Sequence, residues 1–377
     1  MKNRLALYLL FLIVGCNSKV QKQENIGGLV KIDSIQISID SELIFQDIDP
    51  FSETVLLYNQ IDSIEAIYVF DFDGNIQSTF SLTNGTLLTP LSFEGNNTIV
   101  AYGSEGISTY SFSGKVEHVI AISGAQSKQL PRSDIGQRLE NHKDKWITLS
   151  KEILNLSNKD LNKFEHARIL ASMDQNTGKS DFFLKFPQKS VFRSGKYFFK
   201  DAWTPVFTFD EDKLHVVFGI EPVIYTYSAS PPFDSLFSLP LHLVNYQFFK
   251  GADSFSSGLR FFDNSFTSGK ILTIHKFQGN FLIAYYPGFN ESNTAQQLLG
   301  KSTEEAINYL RDMKKKNPNR MAVVDSLGNR LADFAPEGLV ATSMLIRNGD
   351  LWMLGSPDLE QGENKLKLFK LALKFEK

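Results

Sequence analysis

The residues that could do chemistry are few and scattered. The six histidines are His118, His142, His166, His215, His242 and His275. None is paired at i, i+4, and no His-Glu-x-x-His occurs, which excludes a zincin. The single cysteine, Cys16, allows no internal disulfide and no cysteine-based zinc cluster. Gly-x-Ser-x-Gly and Walker A patterns are absent. The run Asp71-Phe72-Asp73-Gly74-Asn75 touches the calcium-loop pattern but lacks the third acidic position and the distal Glu, so it reads as a hairpin turn. What remains is recognition chemistry. One stretch holds Arg193, Lys196, Tyr197, Lys200 and Trp203; another holds Phe248, Phe249, Lys250, Phe255, Arg260, Phe261 and Phe262. Aromatics with a few polar groups suit a sugar, a peptide or an acidic ligand. Arginine can hold a carboxylate or sulfate with two hydrogen bonds, and tryptophan can stack on a sugar or peptide. The candidate contacts are therefore Arg193, Lys196, Tyr197, Trp203 and Arg260. Any single Phe in these stretches reads as packing between loop and scaffold. The sequence offers no catalytic residue, metal ligand or cofactor site.

The elements that must position these residues are strands. From Leu29 onward, short runs rich in Val, Ile, Phe and Tyr recur between Gly, Asn, Asp and Ser, the pattern of strands and turns. No run has the length and period of a βαβ crossover helix. The clearest unit is residues 43–82: three apolar strands, a tight turn at Asp73-Gly74, then a polar-apolar alternating strand. A second copy covers residues 90–122, with its turn at Ser113-Gly114. The closing hairpin returns at 167–186, 222–241 and 321–336, and a sixth copy from Leu339 lacks its last strand. The alternating segment 30–39 has the character of that missing strand. Five full units and one split unit predict an all-β, six-bladed β-propeller. The N-terminal strand would close it against residues 366–373, leaving no free sheet edge. Unit starts near Leu43, Leu87, Ile147, Pro205, Ile271 and Leu339 are 44 to 68 residues apart. A blade needs roughly 40, so several units carry insertions. These are residues 124–145, 188–203, 246–270 and 287–320. Each falls between blades or between a second and third strand, connections that share one face of a propeller. Long loops in a compact domain usually serve function, so one thickened, ligand-facing side is expected. Residues 302–316 form the best helix, with Ser302 as N-cap and Glu305 completing a capping box.

The N-terminus is read separately. Lys2 and Arg4 precede an unbroken apolar run from Leu5 to Val14, followed by Gly15-Cys16. Ten apolar residues are too few to span a bilayer, which takes about 20, but they have the length of a secretory signal. Gly15-Cys16 after Ile13-Val14 resembles a bacterial lipobox, with the cysteine as lipidated first mature residue. The division is then 1–15 signal peptide, 16–29 lipidated tether and 30–377 a single propeller domain. Acyl chains would give stable anchoring, at about 0.8 kcal/mol for each buried CH2. The 377 residues are 42% hydrophobic and 21% charged, with net charge −3. That composition excludes a disordered chain or a multi-span membrane protein, and no basic excess exists to drive nucleic-acid binding.

The lipobox, the short tether and units patterned on Tyr68-Val69-Phe70-Asp71 with Gly74 together resemble envelope lipoproteins of the Bacteroidota type that carry a TolB-like six-bladed propeller. Several such groups have no known function. The resemblance implies a lipid-anchored protein of the bacterial envelope, in the outer membrane, that binds a protein, peptide or glycan partner on its loop-rich face. It carries over no catalytic residue. The alternatives are a glycan-active hydrolase or lyase on the same scaffold, and a scaffold or signalling subunit of an envelope complex.

Overall fold

A computed structural model describes residues 26–375 apart from 39–42, 62–63, 83–90, 96–97, 104–105, 122–138, 155–156, 158, 256–258, 290–300 and 357–364. Its first strand, β1 (Ile26–Ser38), belongs to the last sheet. Blade one follows as β2 (Ile44–Asp49), β3 (Thr54–Ile61), β4 (Ile64–Asp71) and β5 (Ile76–Ser81). Blade two is β6 (Ser92–Glu94), β7 (Thr98–Gly103), β8 (Gly106–Ser111) and β9 (Val116–Ala121). Blade three is β10 (Glu140–His142), β11 (Lys145–Leu149), β12 (Leu170–Asp174) and β13 (Ser180–Phe183). Blade four is β14 (Pro205–Asp210), β15 (Lys213–Phe218), β16 (Val223–Ser228) and β17 (Ser235–Pro240). Blade five is β18 (Lys270–Phe277), β19 (Asn280–Tyr286), β20 (Arg320–Val324) and β21 (Arg330–Phe334). Blade six is β22 (Leu345–Arg347), β23 (Asp350–Leu354) and β24 (Lys365–Phe375), completed by β1. All six are four-stranded antiparallel sheets, and the protein is a six-bladed β-propeller.

The sequence pattern explains the layering. Second and third strands are largely apolar and mostly buried, as in β15, where Leu214, Val216, Val217 and Phe218 flank the single buried polar residue His215. Fourth strands alternate or turn polar, as in β5 and β17, and form the exposed rim. The turns before them are built by side chains. Asp71 accepts the Asn75 N–H at 2.7 Å, and Asp325 accepts the Asn329 N–H at 2.8 Å, each over a glycine at positive φ (Gly74 and Gly328). These carboxylates cap hairpins, as the sequence predicts for residues 71–75.

Ring closure pairs the two segments that the sequence predicts, in a register that sets Val30 against Ala372, Ile35 against Leu368 and Ile37 against Leu366. Two boundaries differ. Strand β1 starts at Ile26, so residues 26–29 belong to the sheet and not to a tether ending at 29. Gly27-Gly28 reads as flexible in sequence, yet Gly28 pairs with Lys374 beside a bulge. In blade three, Ile147 lies in the second strand. The innermost strand is only Glu140–His142, too short and polar to stand out in the sequence.

The insertions lie on one face, as expected. Helices α1 (Lys151–Leu154) and α2 (Lys163–His166) fill the connection between β11 and β12; α3 (Leu259–Thr267) lies between blades four and five. Helix α4 (Thr303–Lys316) joins β19 to β20 and carries the predicted Ser302–Glu305 capping box. The insertion at 124–145 lies largely outside the described residues.

Candidate ligand-binding site

The insertions are tied to one another and to the ring by hydrogen bonds and apolar contacts. Tyr197 and Ala252 exchange main-chain hydrogen bonds of 2.8 and 2.9 Å, joining the two aromatic stretches. Gln247 donates to Pro287 at 2.9 Å and accepts from Gly269 at 2.6 Å, and Phe289 donates to Thr267 at 2.8 Å. Buried Glu221 organises the first insertion: it accepts from Ser190 Oγ at 2.7 Å, the Val191 N–H at 2.9 Å and Tyr225 OH at 3.0 Å. Burial raises its carboxyl pKa, and these donors oppose the rise. In blade five, Asp333 accepts from Arg320 Nε at 2.8 Å and from the Val244 N–H at 3.0 Å, and Tyr285 OH donates to it at 2.8 Å. That network pins the link from blade four. Phe164, Phe186, Phe192 and Phe198 pack ring on ring, with centroids 4.7 to 5.8 Å apart. The abundant phenylalanine thus cements the loops to the ring.

This framework leaves a cleft of about 520 Å³ between blades five and six on the insertion face. The C-terminal part of α3 contributes Ser265 and Phe266, and β18 contributes Lys270 and Leu272. The end of β19 supplies Tyr286. Lys314 and Asn317 come from the end of α4, Asn319 from the turn after it, and Thr342 from the link into blade six. Burial pushes the Tyr286 phenol up to about 12, so it stays protonated and can donate. Lys270 Nζ sits 5.2 Å from the centroid of the Phe199 ring. Half-buried Asp201 lies near Lys200, Lys270 and Lys163. Burial raises its carboxyl pKa, and the three lysines oppose that rise. Lys163 is itself buried, with Nζ 4.7 Å from the centroid of the Phe164 ring; burial pushes it down to about 8 against the pull of Asp160 and Asp201. The lining thus combines two cations, carboxamides, hydroxyls and aromatic rings, with no carboxylate among the described lining residues, a chemistry that can complement negative charge and apolar surface together.

The candidate contacts read from sequence are not brought together there. Arg193, Lys196 and Tyr197 are partly exposed on the first insertion. Lys196 lies 3.7 Å from Asp253, and Tyr197 packs edge-on against Phe255 at 5.9 Å. Trp203 departs from expectation. It is only 4% exposed and sits in the largest core cluster, so its ring anchors the insertion and cannot stack on a ligand. The side chain of Arg260 lies outside the described residues. Lys270 and Lys314 escaped the sequence reading because one opens a strand and the other resembles a solvated helix end.

The opposite mouth has its own polar groups. Glu94 accepts from Trp146 Nε1 at 3.2 Å, Gln175 Nε2 at 2.9 Å and Asn141 Nδ2, while burial raises its carboxyl pKa. His215 is buried, with Nδ1 2.9 Å from Thr226 Oγ1. Burial and Lys276 push it down to about 4, so it is neutral at physiological pH. No group of three His, Cys, Asp or Glu suited to a metal occurs among the described residues.

No family model matches the chain, and no curated protein matches it. Solved structures do. A member of the DUF4221 family from Bacteroides vulgatus aligns with a TM-score of 0.60 at 12% identity, over 94% of this chain and 100% of that one. A Bacteroides fragilis protein, provisionally named as exported, aligns with a TM-score of 0.51 at 10% identity, over 93% of this chain and 97% of that one. At these identities the likeness is one of fold: the chain shares its propeller architecture with these two Bacteroides proteins along nearly its whole length.

Proposed function

We propose that this protein is a lipid-anchored envelope protein that captures an anionic ligand, such as an acidic glycan or peptide segment, in the cleft between blades five and six. The observation that carries this reading is the lining: Lys270 and Lys314 face one cavity with Tyr286, Asn317 and Phe266, and the described lining includes no Asp or Glu. The same lining disfavours a two-carboxylate glycosidase at this position, since no Asp or Glu is among those described residues. Arg193, Lys196, Tyr197 and Arg260, on neighbouring insertions, stay within the reading as a second patch of contacts on the same face.

Titration calorimetry with a chondroitin sulfate oligosaccharide and with a polyglutamate peptide tests the site. Lys314 is exposed at a helix end, so Lys314→Ala leaves the core untouched and should weaken binding by about tenfold, within the 1–3 kcal/mol range of an interface anchor. Its thermal midpoint should not move. Equal affinity of the variant and the original protein for every acidic probe would remove the cleft from consideration.

Anchoring rests on Gly15-Cys16 after the apolar run. It accords with the described residues, in which no helix is long and apolar enough to cross a membrane. Export is also the provisional description of the Bacteroides fragilis protein of similar fold. Cys16→Ser should move the protein out of the membrane fraction and abolish incorporation of labelled palmitate. Retention of both would refute the anchor; the outer membrane is its expected location.

A further inference from the structure

We infer that the rim of blade six is a membrane-contacting edge, which rests on the surface of an anionic bilayer and holds the propeller on its side. The inference rests on the lipid anchor proposed above. It begins with where the chain enters the ring. Strand β1 starts at Ile26 on the outermost position of blade six, ten residues after Cys16. Ten residues reach at most about 35 Å when fully extended. A lipidated Cys16 therefore keeps this rim, and no other part of the ring as closely, near the headgroups.

The chemistry of the rim fits that neighbour. Val30 is 43% exposed, Ile32 59% and Phe375 46%, on two paired strands. Exposed apolar side chains set beside cationic ones on one sheet edge suit the interface of an anionic bilayer. Around them stand Lys31, Lys367 and Lys374, all exposed, with Asp33 the acidic residue in the same segment of β1. Lys31 holds its Nζ 4.0 Å from the centroid of the Phe369 ring, so its stem lies along apolar surface with the charge at the rim. Lys370 is engaged with Asp350 at 2.7 Å and is left out of the argument. The chain as a whole carries net charge −3, so a positive rim is a local departure. Each lysine near an anionic surface contributes about a fivefold factor in partitioning. Exposed Leu236 and Phe237 on β17 of blade four make a useful contrast: that strand has no lysine and lies two blades round the ring from the tether.

The consequence is orientation. With blade six down, the axis of the ring runs parallel to the membrane. The cleft between blades five and six then opens sideways, close above the headgroups.

The test uses the full chain, lipidated in cells, purified and reconstituted in vesicles of seven parts phosphatidylcholine to three parts phosphatidylglycerol. Once Cys16 is thioether-linked to lipid, a cysteine introduced at Ile32→Cys or Leu236→Cys is the only free thiol. It can be labelled with an environment-sensitive fluorophore. The label at position 32 should shift to the blue on vesicles relative to detergent micelles, and the label at 236 should not. Adding Lys31→Glu, Lys367→Glu and Lys374→Glu should abolish the shift at 32 while the protein stays membrane-bound with an unchanged circular dichroism melt. A lipidated, vesicle-bound protein whose two labels behave alike overturns the edge-on contact alone. A protein without lipid label overturns the anchor and this inference together.

Discussion

Asp47→Ala is expected to destabilise the ring by about 3–5 kcal/mol, the range for breaking one side of a buried ion pair. Asp47 is fully buried on the innermost strand of blade one. Its Oδ1 accepts from Arg347 Nε at 2.8 Å and from the Ile48 N–H at 2.8 Å. Its Oδ2 accepts from Arg347 Nη2 at 2.8 Å and from the Phe93 N–H at 3.0 Å. One carboxylate thus joins the inner strands of blades one, two and six across a sequence gap of 300 residues. Burial works against charging Arg347, but Asp47 more than offsets it, so the guanidinium pKa lies above its ordinary value. Without the fully buried Asp47 carboxylate, the partly exposed Arg347 guanidinium loses its hydrogen-bonded ion pair and the Phe93 N–H loses its acceptor. Urea unfolding should show a lower midpoint with an unchanged m-value. Arg347→Met in the same chain should recover part of the loss, because the uncompensated charge is then gone. A loss below about 1 kcal/mol would place the pair in the class of solvated surface bridges and remove it as a ring fastener.

How much of this was legible in the sequence depends on which interaction decides each element. Hairpins such as 66–82 and 321–336 are visible because local chemistry fixes them: an apolar third strand, an aspartate, a glycine at positive φ and an alternating fourth strand. Ring closure is visible because the sixth unit lacks one strand and β1 carries the right alternation. Strand Glu140–His142 is not visible, since three polar residues at the axis are held by their neighbours and carry no period of their own. The extra turn of sheet at Ile26 is hidden for a similar reason: pairing with Phe375 overrides the flexibility of Gly27-Gly28.

The site was legible only as a face. Parity of connections places the insertions on one side, and that needs nothing beyond strand count. Which side chains face solvent is a packing outcome. Trp203 follows Ala202 into the interior because the insertion needs an anchor against blade four, whereas Lys270 and Lys314, ordinary in sequence, meet at one cleft through the fold. Asp47 and Arg347, 300 residues apart, carry no motif at all.

Removal of residues 26–38 is expected to abolish cooperative folding. The segment contributes a full strand to blade six, pairing from Ile26–Phe375 to Ser38–Lys365. It also fills two cores. Ile26 packs with Leu351, Leu371 and Leu373 between blades five and six, and Ile35 and Ile37 pack with Phe45, Leu57 and Trp352 between blades six and one. Deletion would leave the apolar strand β24 as an unpaired edge, the condition that leads to aggregation, and would open the ring at the one seam where its ends meet. Point variants separate packing from pairing. Ile37 is 0% exposed, so Ile37→Ala should cost about 2–5 kcal/mol through lost contacts and a residual cavity. Ile32→Ala, on the same strand but facing outward, should stay within about 0.5 kcal/mol. A synthetic peptide of residues 26–38 added to the deleted chain should restore part of the melting transition by strand addition. If the shortened chain instead melts as cooperatively as the full one, the N-terminal strand is an ornament on blade six and the ring is held shut from within.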